Sequence, residues 1–578
     1  MNTSQIPATG RARARTKRLA HALLGFASAT ALCLASAQAQ VAYNTVATIA
    51  AMRALGATPS ITSVYVSDYA SVGDGGGGDF VFITTASPPA HDGCTVFIPT
   101  AASPTGYWHR QLQGPLNVDM CGAAQVSDSS TAINAALAVC SANSGLNVAL
   151  SPKYYQLSHN LVSDPACTVT GAPSAGVGGV NTYLDFTNDM DGGPCWSIVG
   201  TAAYGNFSDG NSVGDFVMLG NGAGNPSLAH CSQGLYVSRV AGEHLHDVTI
   251  LTMNGPCLFW GSTITSDITR VNVSNCGTAT TAMAEIDGET HAGADVGGTT
   301  LTIDRLNAGN GASGAQAGVK IDRYGIVNWS NGGSENSGIP LMIASKSAST
   351  VGVGDLTLNS LDLENPSNGA SDFIEAGAGW SGTASRGVVN LALTQNTLVA
   401  DATTIGSAVV IKNSSNTYAW QNSIQTPNSG SVLFDFQGSA NIHENLFLND
   451  AGFVTPSFTY AKVNGAAVAD AVPATLWSVD NAVQPSTYVA NTTTAGTVTL
   501  TPTVDPAVQK FTGTPGGNIV VTLSTSHAST GFRWKIAGPS VLAGHTFTVN
   551  GVSLAAKQWI EFSWDGTAYQ QTAAGTLL

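Results

Sequence analysis

Charge is what this sequence has least of. Only 10% of its 578 residues are Asp, Glu, Lys or Arg, well under the roughly 25% usual in soluble domains. The 21 Lys and Arg are outnumbered by 36 Asp and Glu, for a formal net charge of −15. A chain this acidic repels nucleic acid and anionic membrane surfaces, which argues against either as a partner. Aromatic residues make up 7%, and the helix formers Glu and Lys are scarce. Thr, Val, Ser, Asn and Gly take their place, with 65 glycines, a balance that favours strands joined by many turns. Beyond residue 39 no run of about 18 apolar residues could cross a bilayer as a helix. Paired CxxC zinc spacing, HExxH and the G-K-[ST] ending of a phosphate-binding loop are all missing.

The N-terminus has the order of an export signal. Arg11, Arg13, Arg15, Lys17 and Arg18 precede the apolar run Ala22 to Ala35 and then Ala37-Gln38-Ala39. Basic, apolar and A-x-A segments in that order predict cleavage after Ala39 and a secreted, periplasmic or cell-surface protein with no membrane association afterwards. Cys33 leaves with the leader. Cys94, Cys121, Cys140, Cys167, Cys195, Cys231, Cys257 and Cys276 remain. An even number in an exported chain predicts disulfides, in any of 105 pairings.

From about 230 to 450 a short pattern recurs: two alternating apolar residues, a two-residue step, then a third apolar residue. Val248-Thr-Ile250 leads to Met253, Val271-Asn-Val273 to Cys276, Leu301-Thr-Ile303 to Leu306, Val319-Lys-Ile321 to Tyr324, and Leu356-Thr-Leu358 to Leu361. Alternation is a strand with one face inward. The two-residue step shifts parity, so the chain must bend there to keep the next apolar residue inside. Asn, Asp and Ser, which tolerate tight corners, often occupy the step. The starts at 248, 271 and 301 set a period of roughly 20 to 30 residues, which fits a parallel β-helix; Val319 falls off the beat, as a second strand of one turn would. Between 129 and 142, Ile133, Ala136, Leu137 and Cys140 fall at helical spacing, with Ser129 or Ser130 to cap. Such a helix would cover the open end of the coil. From about 484, compact alternating strands such as Asn518-Ile-Val-Val-Thr-Leu523 read as a small antiparallel sandwich.

Three stretches carry a family resemblance: SVGDGGGGDF (71–80), GYWHRQLQGPLNVDMCGA (106–123) and SDSSTAINAALA (127–138). Their order resembles the N-terminal region of pectate-lyase-like right-handed parallel β-helix proteins, a group that includes tailspike depolymerases and secreted polysaccharide-active enzymes. There a GDGGGG turn precedes W-[KR]-R, a V-x-x-F-G-A strand and a T-A-I-x-A-A-L helix. The glycine stretch then reads as a turn whose glycines supply positive φ in a tight hairpin. Cys121 stands where relatives have Phe, and Cys140 lies on the same small unit, which suggests a Cys121–Cys140 bond. The resulting expectation is an all-β chain: signal peptide 1–39, a small β region with the glycine-rich hairpin over 40–115, and a right-handed single-stranded parallel β-helix over 116–480 with an N-terminal capping helix. An antiparallel β-sandwich over 484–578 completes it. The resemblance implies a polysaccharide as partner, and relatives are often homotrimers, so a homotrimer is an expectation too.

A β-helix presents outward side chains in rows, which suits an extended glycan. Glycoside hydrolysis needs two carboxylates roughly 5 to 10 Å apart, and stacked turns lie about 4.8 Å apart. Polysaccharide lyases need a base and a means of neutralising a uronate, often Ca²⁺. No motif here requires a cofactor; Ca²⁺ is compatible with the lyase reading. Leu361-Asp362-Leu363-Glu364 turns Asp362 and Glu364 outward together, and Lys320-Ile-Asp322 does the same one strand earlier. Asp322, Asp362 and Glu364 are therefore the candidate catalytic residues. Lys320, Arg323, Tyr324, Trp329 and Trp380 are the candidates for holding the glycan. Singly, each carboxylate is as well read as solvated surface. His244 and His246 share a strand face but have no third ligand in fixed spacing, Asp189-Met-Asp191-Gly192 is half a calcium loop, and no metal ligand is assigned. Glu285, Asp287, Glu289, His291 and Asp295 read as a loop. The polygalacturonase set N-T-D, D-D, G-H-G and R-I-K is absent. The expectation is an exported enzyme that binds and cleaves a polysaccharide as lyase or glycoside hydrolase, against the alternative of a non-catalytic surface adhesin.

Overall fold

The computed structural model describes the chain from Asn44 to Thr576, with gaps of which the longest are 173–180, 201–206, 222–230, 345–351, 378–387, 400–405, 426–431, 438–458 and 468–487. The export signal and Trp380 lie outside the described residues. The chain divides into two compact units, 1–112 and 113–578. Among the described residues no helix is long and apolar enough to cross a membrane.

In the first unit, strands Thr45–Thr48, Ser63–Asp68, Gly78–Thr84, Gly106–Arg110 and Val96–Phe97 pair in that order as one sheet. The glycine stretch is the expected hairpin turn: Ser63–Asp68 and Gly78–Thr84 pair antiparallel. Asp74 organises it, its carboxylate accepting the backbone N–H groups of Tyr69, Ala70, Ser71 and Gly76. Gly73 and Gly75 take φ of +84° and +79°, where other residues are strained. Arg110, 1% exposed, donates to the carbonyls of Gly76, Gly77 and Cys94 and lies over Phe80. The glycines thus serve a structural turn, with their carbonyls turned toward a buried guanidinium.

In the second unit, helix Ser130–Ala142 buries Ile133, Ala136, Leu137 and Cys140, the predicted face. Its cap differs from expectation. Ser129 makes no capping bond with its side chain; Asp128 accepts Ser130 N–H and Oγ–H instead, and Ser158 N–H from the next turn. Cys140 is bonded to Cys167 rather than Cys121, because the helix turns it toward the strand Thr168–Thr170, with 5.8 Å between the two Cα atoms. Cys195–Cys231 and Cys257–Cys276 are also bonded.

Past this helix the chain winds as a parallel β-helix. Among the described residues one sheet takes nineteen strands and another twelve, and successive coils pair in parallel, as Thr263–Ser274 does with Thr299–Gly309 and Ala282–Asp287 with Ala317–Asp322. Leu245, Ile268, Ile303, Trp329, Leu358 and Leu393 form one in-register column, each at most 2% exposed. The predicted bends are left-handed corners. In all five repeats the second residue of the step has positive φ: Thr252 +58°, Asn275 +57°, Arg305 +60°, Arg323 +52° and Ser360 +56°. They belong to three different corners of the coil, so the motif marks corners and its spacing is not the coil length. In-register partners are 23 residues apart at Asp247 and Arg270 but 35 at Asn272 and Asn307. Val319 does lie on a second strand of its coil, in the twelve-stranded sheet.

The C-terminal segment packs two sheets around Trp534, Phe511, Phe547, Ile560 and their neighbours. The pairing is mixed where an antiparallel sandwich was expected. Tyr488–Asn491, Val508–Phe511 and Arg533–Ala537 pair in parallel, as do Gly496–Leu500, Ile519–Leu523 and Phe547–Val549. Antiparallel pairing enters with the hairpins Phe547–Val549 with Val552–Leu554 and Gln558–Trp564 with Tyr569–Thr576, and where Arg533–Ala537 meets Gln558–Trp564. Alternation reports which face is inward but not the direction of the neighbouring strand.

Candidate functional site

The candidate residues separate onto two faces. Lys320, Asp322, Arg323 and Tyr324 belong to the strand Ala317–Asp322 and the corner after it. Alternation does turn Lys320 and Asp322 away from the coil interior, yet they are only 7% and 1% exposed. Lys320 Nζ donates to Glu285 Oε1 at 3.2 Å and Arg323 Nε to Asp287 Oδ1 at 2.7 Å, and all four side chains are buried. Glu285 and Asp287, expected in a loop, lie on the strand Ala282–Asp287, in register with Lys320 and Asp322. The chain leaves this corner at Gly288 and returns at Gly298, making the antiparallel hairpin Glu289–His291 with Ala294–Val296. Gly288 N–H bonds to the Asp322 carbonyl and Gly298 N–H to that of Arg323, and Tyr236 Oη donates to Glu289. This is an internal ionic lattice, closed to a polymer. Tyr324 is fully buried, donating to the Gly261 carbonyl at 2.7 Å. Trp329 is 1% exposed in the apolar column, so neither ring offers a stacking platform.

Asp362 and Glu364 do face outward from the strand Asp362–Glu364, Asp362 exposed and Glu364 half-buried over a buried Leu363. Directly opposite Glu364 on the preceding coil is Glu335, which is exposed. Strand spacing separates their backbones by about 4.8 Å. Gly309 stands above Glu335, and a Cβ there would lie 3.0 Å from its Oε1; glycine keeps that place clear. Asp362 stands between Gly333 and Thr397 in a neighbouring outward row that begins with Thr249, Asn272 and Asn307, in which Asn307 donates to Asn272 Oδ1 at 2.9 Å. Glu335 went unnoticed in the sequence, although Glu335-Asn336 and Glu364-Asn365 repeat one dipeptide ahead of one corner. Asn336 and Asn365 have φ of +49° and +45°.

A third group lies on earlier coils, where the strand Ser212–Leu219 pairs with His244–Leu251. Ligand atoms of Asp215, His246 and Asp247 fall within 4.8 Å of one another, so His246 is grouped with Asp247 and with Asp215 of the neighbouring coil and not, as the spacing suggested, with His244. His244 stacks on His246 with centroids 4.8 Å apart and bonds to Asp267. Arg270 bonds to both oxygens of Asp247 and holds its carboxyl below the usual range, whereas burial raises that of Asp215. In the half calcium loop, His159 pairs with Asp191 at 3.0 Å and burial pushes Asp189 up to about 6.

Residues 45–113 match the family described as the phage tail protein small four-stranded beta-sheet domain. That match spans the five-stranded sheet of the first unit. Among solved structures, the tailspike gp42 of Acinetobacter phage vb_AbaP_AS12 overlaps 93% of this chain and 93% of its own at 14% identity and a TM-score of 0.47. The tailspike gp49 of the Acinetobacter baumannii bacteriophage Fri1, a capsular polysaccharide depolymerase, overlaps 73% and 76% at 14% identity and 0.40. The Streptococcus pneumoniae surface protein and adhesin PfbA overlaps 60% and 99% at 12% identity and 0.41. A search of curated protein sequences finds no match. The parallel coil is established independently by the strand register above.

Proposed function

We propose that this is an exported protein that binds an extended, hydroxyl-rich polysaccharide along the outer face of the nineteen-stranded sheet and cleaves it at Glu335, Asp362 and Glu364. The reading rests on one observation: two carboxylates sit in register on adjacent coils, with a third two residues along the strand. The in-register pair suits the roughly 5–5.5 Å of a double displacement, and the diagonal from Asp362 to Glu335 suits the wider roughly 6.5–9.5 Å that admits a water. One carboxyl serves as acid and another as nucleophile or base. The exposed amides and hydroxyls of the adjacent row offer donors and acceptors to sugar hydroxyls without charge. Disulfides on the coil support an oxidising compartment.

The test is incubation with a panel of neutral and uronate-containing glycans, scored for new reducing ends and for unsaturated products that absorb in the ultraviolet. Glu335→Gln and Glu364→Gln should each cut the cleavage rate by roughly 10²-fold or more, the scale of losing an acid or base, while retaining glycan binding. Binding by the unaltered protein with no product from any glycan would leave the adhesin reading in its place.

A further inference from the structure

We infer a second chemistry on this molecule: Ser212, His246 and Asp247 form a nucleophile, base and orienting carboxylate that hydrolyse carboxylic esters. His246 Nε2 lies 3.0 Å from Ser212 Oγ, and His246 Nδ1 lies 3.1 Å from Asp247 Oδ2. Both fall within the hydrogen-bond reach that such a relay requires. The group is split over two coils, with Ser212 opposite His244 and Gly214 opposite His246.

The backbone explains how the ring reaches across. Gly214 has no side chain, and a Cβ there would lie 2.6 Å from both Cε1 and Nδ1 of His246. The imidazole occupies the vacated place and so meets Ser212 two residues along the strand. His244 stacks on it from its own strand at 24° between planes. Asp247 is a left-handed corner residue, φ +54°, which returns its carboxylate to the ring of the residue just before it. Arg270, one coil further, bonds to both oxygens of that carboxylate and fixes its position. Arg270 alone would oppose an imidazolium. Asp215, within 4.8 Å of His246 and Asp247, supplies a second negative charge that offsets it. Ser212, His246 and Asp247 are all partly exposed, so an ester carbonyl can approach.

In the first step Ser212 Oγ bonds to the ester carbonyl carbon and its proton passes to His246 Nε2. The carbon–alkoxy bond then breaks and His246 returns the proton to the departing alcohol. Water repeats the sequence on the acyl-serine, His246 again taking and returning a proton, and a carboxylic acid leaves. Asp247 is the positioning residue: it holds the tautomer with Nε2 free to accept. This site stands apart from Glu335 and Glu364. If the glycan reading holds, acyl groups on sugar hydroxyls are esters that the same wall would bring to it.

The decisive experiment treats the full chain with a fluorophosphonate probe, maps the labelled peptide, and follows p-nitrophenyl acetate hydrolysis. Labelling of Ser212, abolished by Ser212→Ala and by His246→Ala, is expected, with hydrolysis reduced at least 10²-fold in each variant and about as much in Asp247→Asn. No label on Ser212, or hydrolysis unchanged in Ser212→Ala, overturns the proposal. Hydrolysis that survives Ser212→Ala but is abolished by a chelator also overturns it, in favour of a metal ion held by Asp215, His246 and Asp247. Neither probe is a glycan, and the Glu335→Gln and Glu364→Gln proteins should label normally, so failure here is separate from failure of the glycan reading.

Discussion

Glu243 is 1% exposed and lies one residue before the strand that carries His246. Its Oε2 accepts from Asn211 N–H at 3.2 Å, and its Oε1 is buried without a partner. Burial pushes its pKa up to about 8 from 4.5 in the open chain. The folded protein therefore holds a proton that the unfolded chain releases, and stability falls as pH rises from about 4.5 to about 8. At neutral pH the penalty is on the order of 3 kcal/mol. Glu243→Gln keeps the shape without the ionisation, so thermal melts between pH 5 and 8 should show a flatter profile and a higher melting temperature at pH 7.5. A profile parallel to that of the unaltered protein would reject the linkage. The sequence did not show that Glu243 is buried, because nothing local says that Asn211 and Ser266 will stand beside it in the column. The same limit explains Lys320, Asp322 and Arg323. Alternation predicted that Lys320 and Asp322 leave the coil interior, but whether another segment lies over that face is a long-range fact. Asp362 and Glu364 were legible because alternation alone decides an uncovered face.

Corners were the most legible elements, and the reason is steric. A parity shift in an alternating strand has few remedies, and one residue in the left-handed region is the shortest of them. What the sequence hid was which corner each motif marks, because Asn275 and Arg305 answer the same local problem at different places on the coil. Only register tells them apart, and register follows from loops whose length varies. Asn275, Asn310, Asn336 and Asn365 are the column in which asparagine does this work coil after coil, at φ between +45° and +57°. Asparagine enters this region at low cost, whereas a β-branched side chain pays roughly 1–2 kcal/mol. Asn310 is exposed, so packing contributes little to its replacement. Asn310→Val should lower stability by about 1–2 kcal/mol in urea unfolding and Asn310→Gly by much less. Equal losses in both would assign the effect to the side chain and not to the backbone.

At the scale of the whole molecule, a coil touches only its neighbours, so stability is close to a sum of local terms. Three disulfides lie between residues 140 and 276. One ties the capping helix to the coil. Cys195 follows Pro194, and Cys231 lies two residues before Gln233, the register partner of Pro194, so this bond links consecutive coils. The loops they close have sequence separations of 27, 36 and 19, each worth roughly 3 kcal/mol on a chain-entropy basis. In a globular core such a loss would be shared by every element. In a solenoid it should stay local. After mild reduction and alkylation, hydrogen exchange should quicken in Pro194–Val199, Gln233–Ser238 and Leu258–Trp260. Val353–Asn359 and Val388–Thr394, held by apolar columns and strand pairing without cross-links, should keep their protection. Uniform loss across both halves would mean that the coils unfold as one cooperative unit, and the nearest-neighbour account would fail.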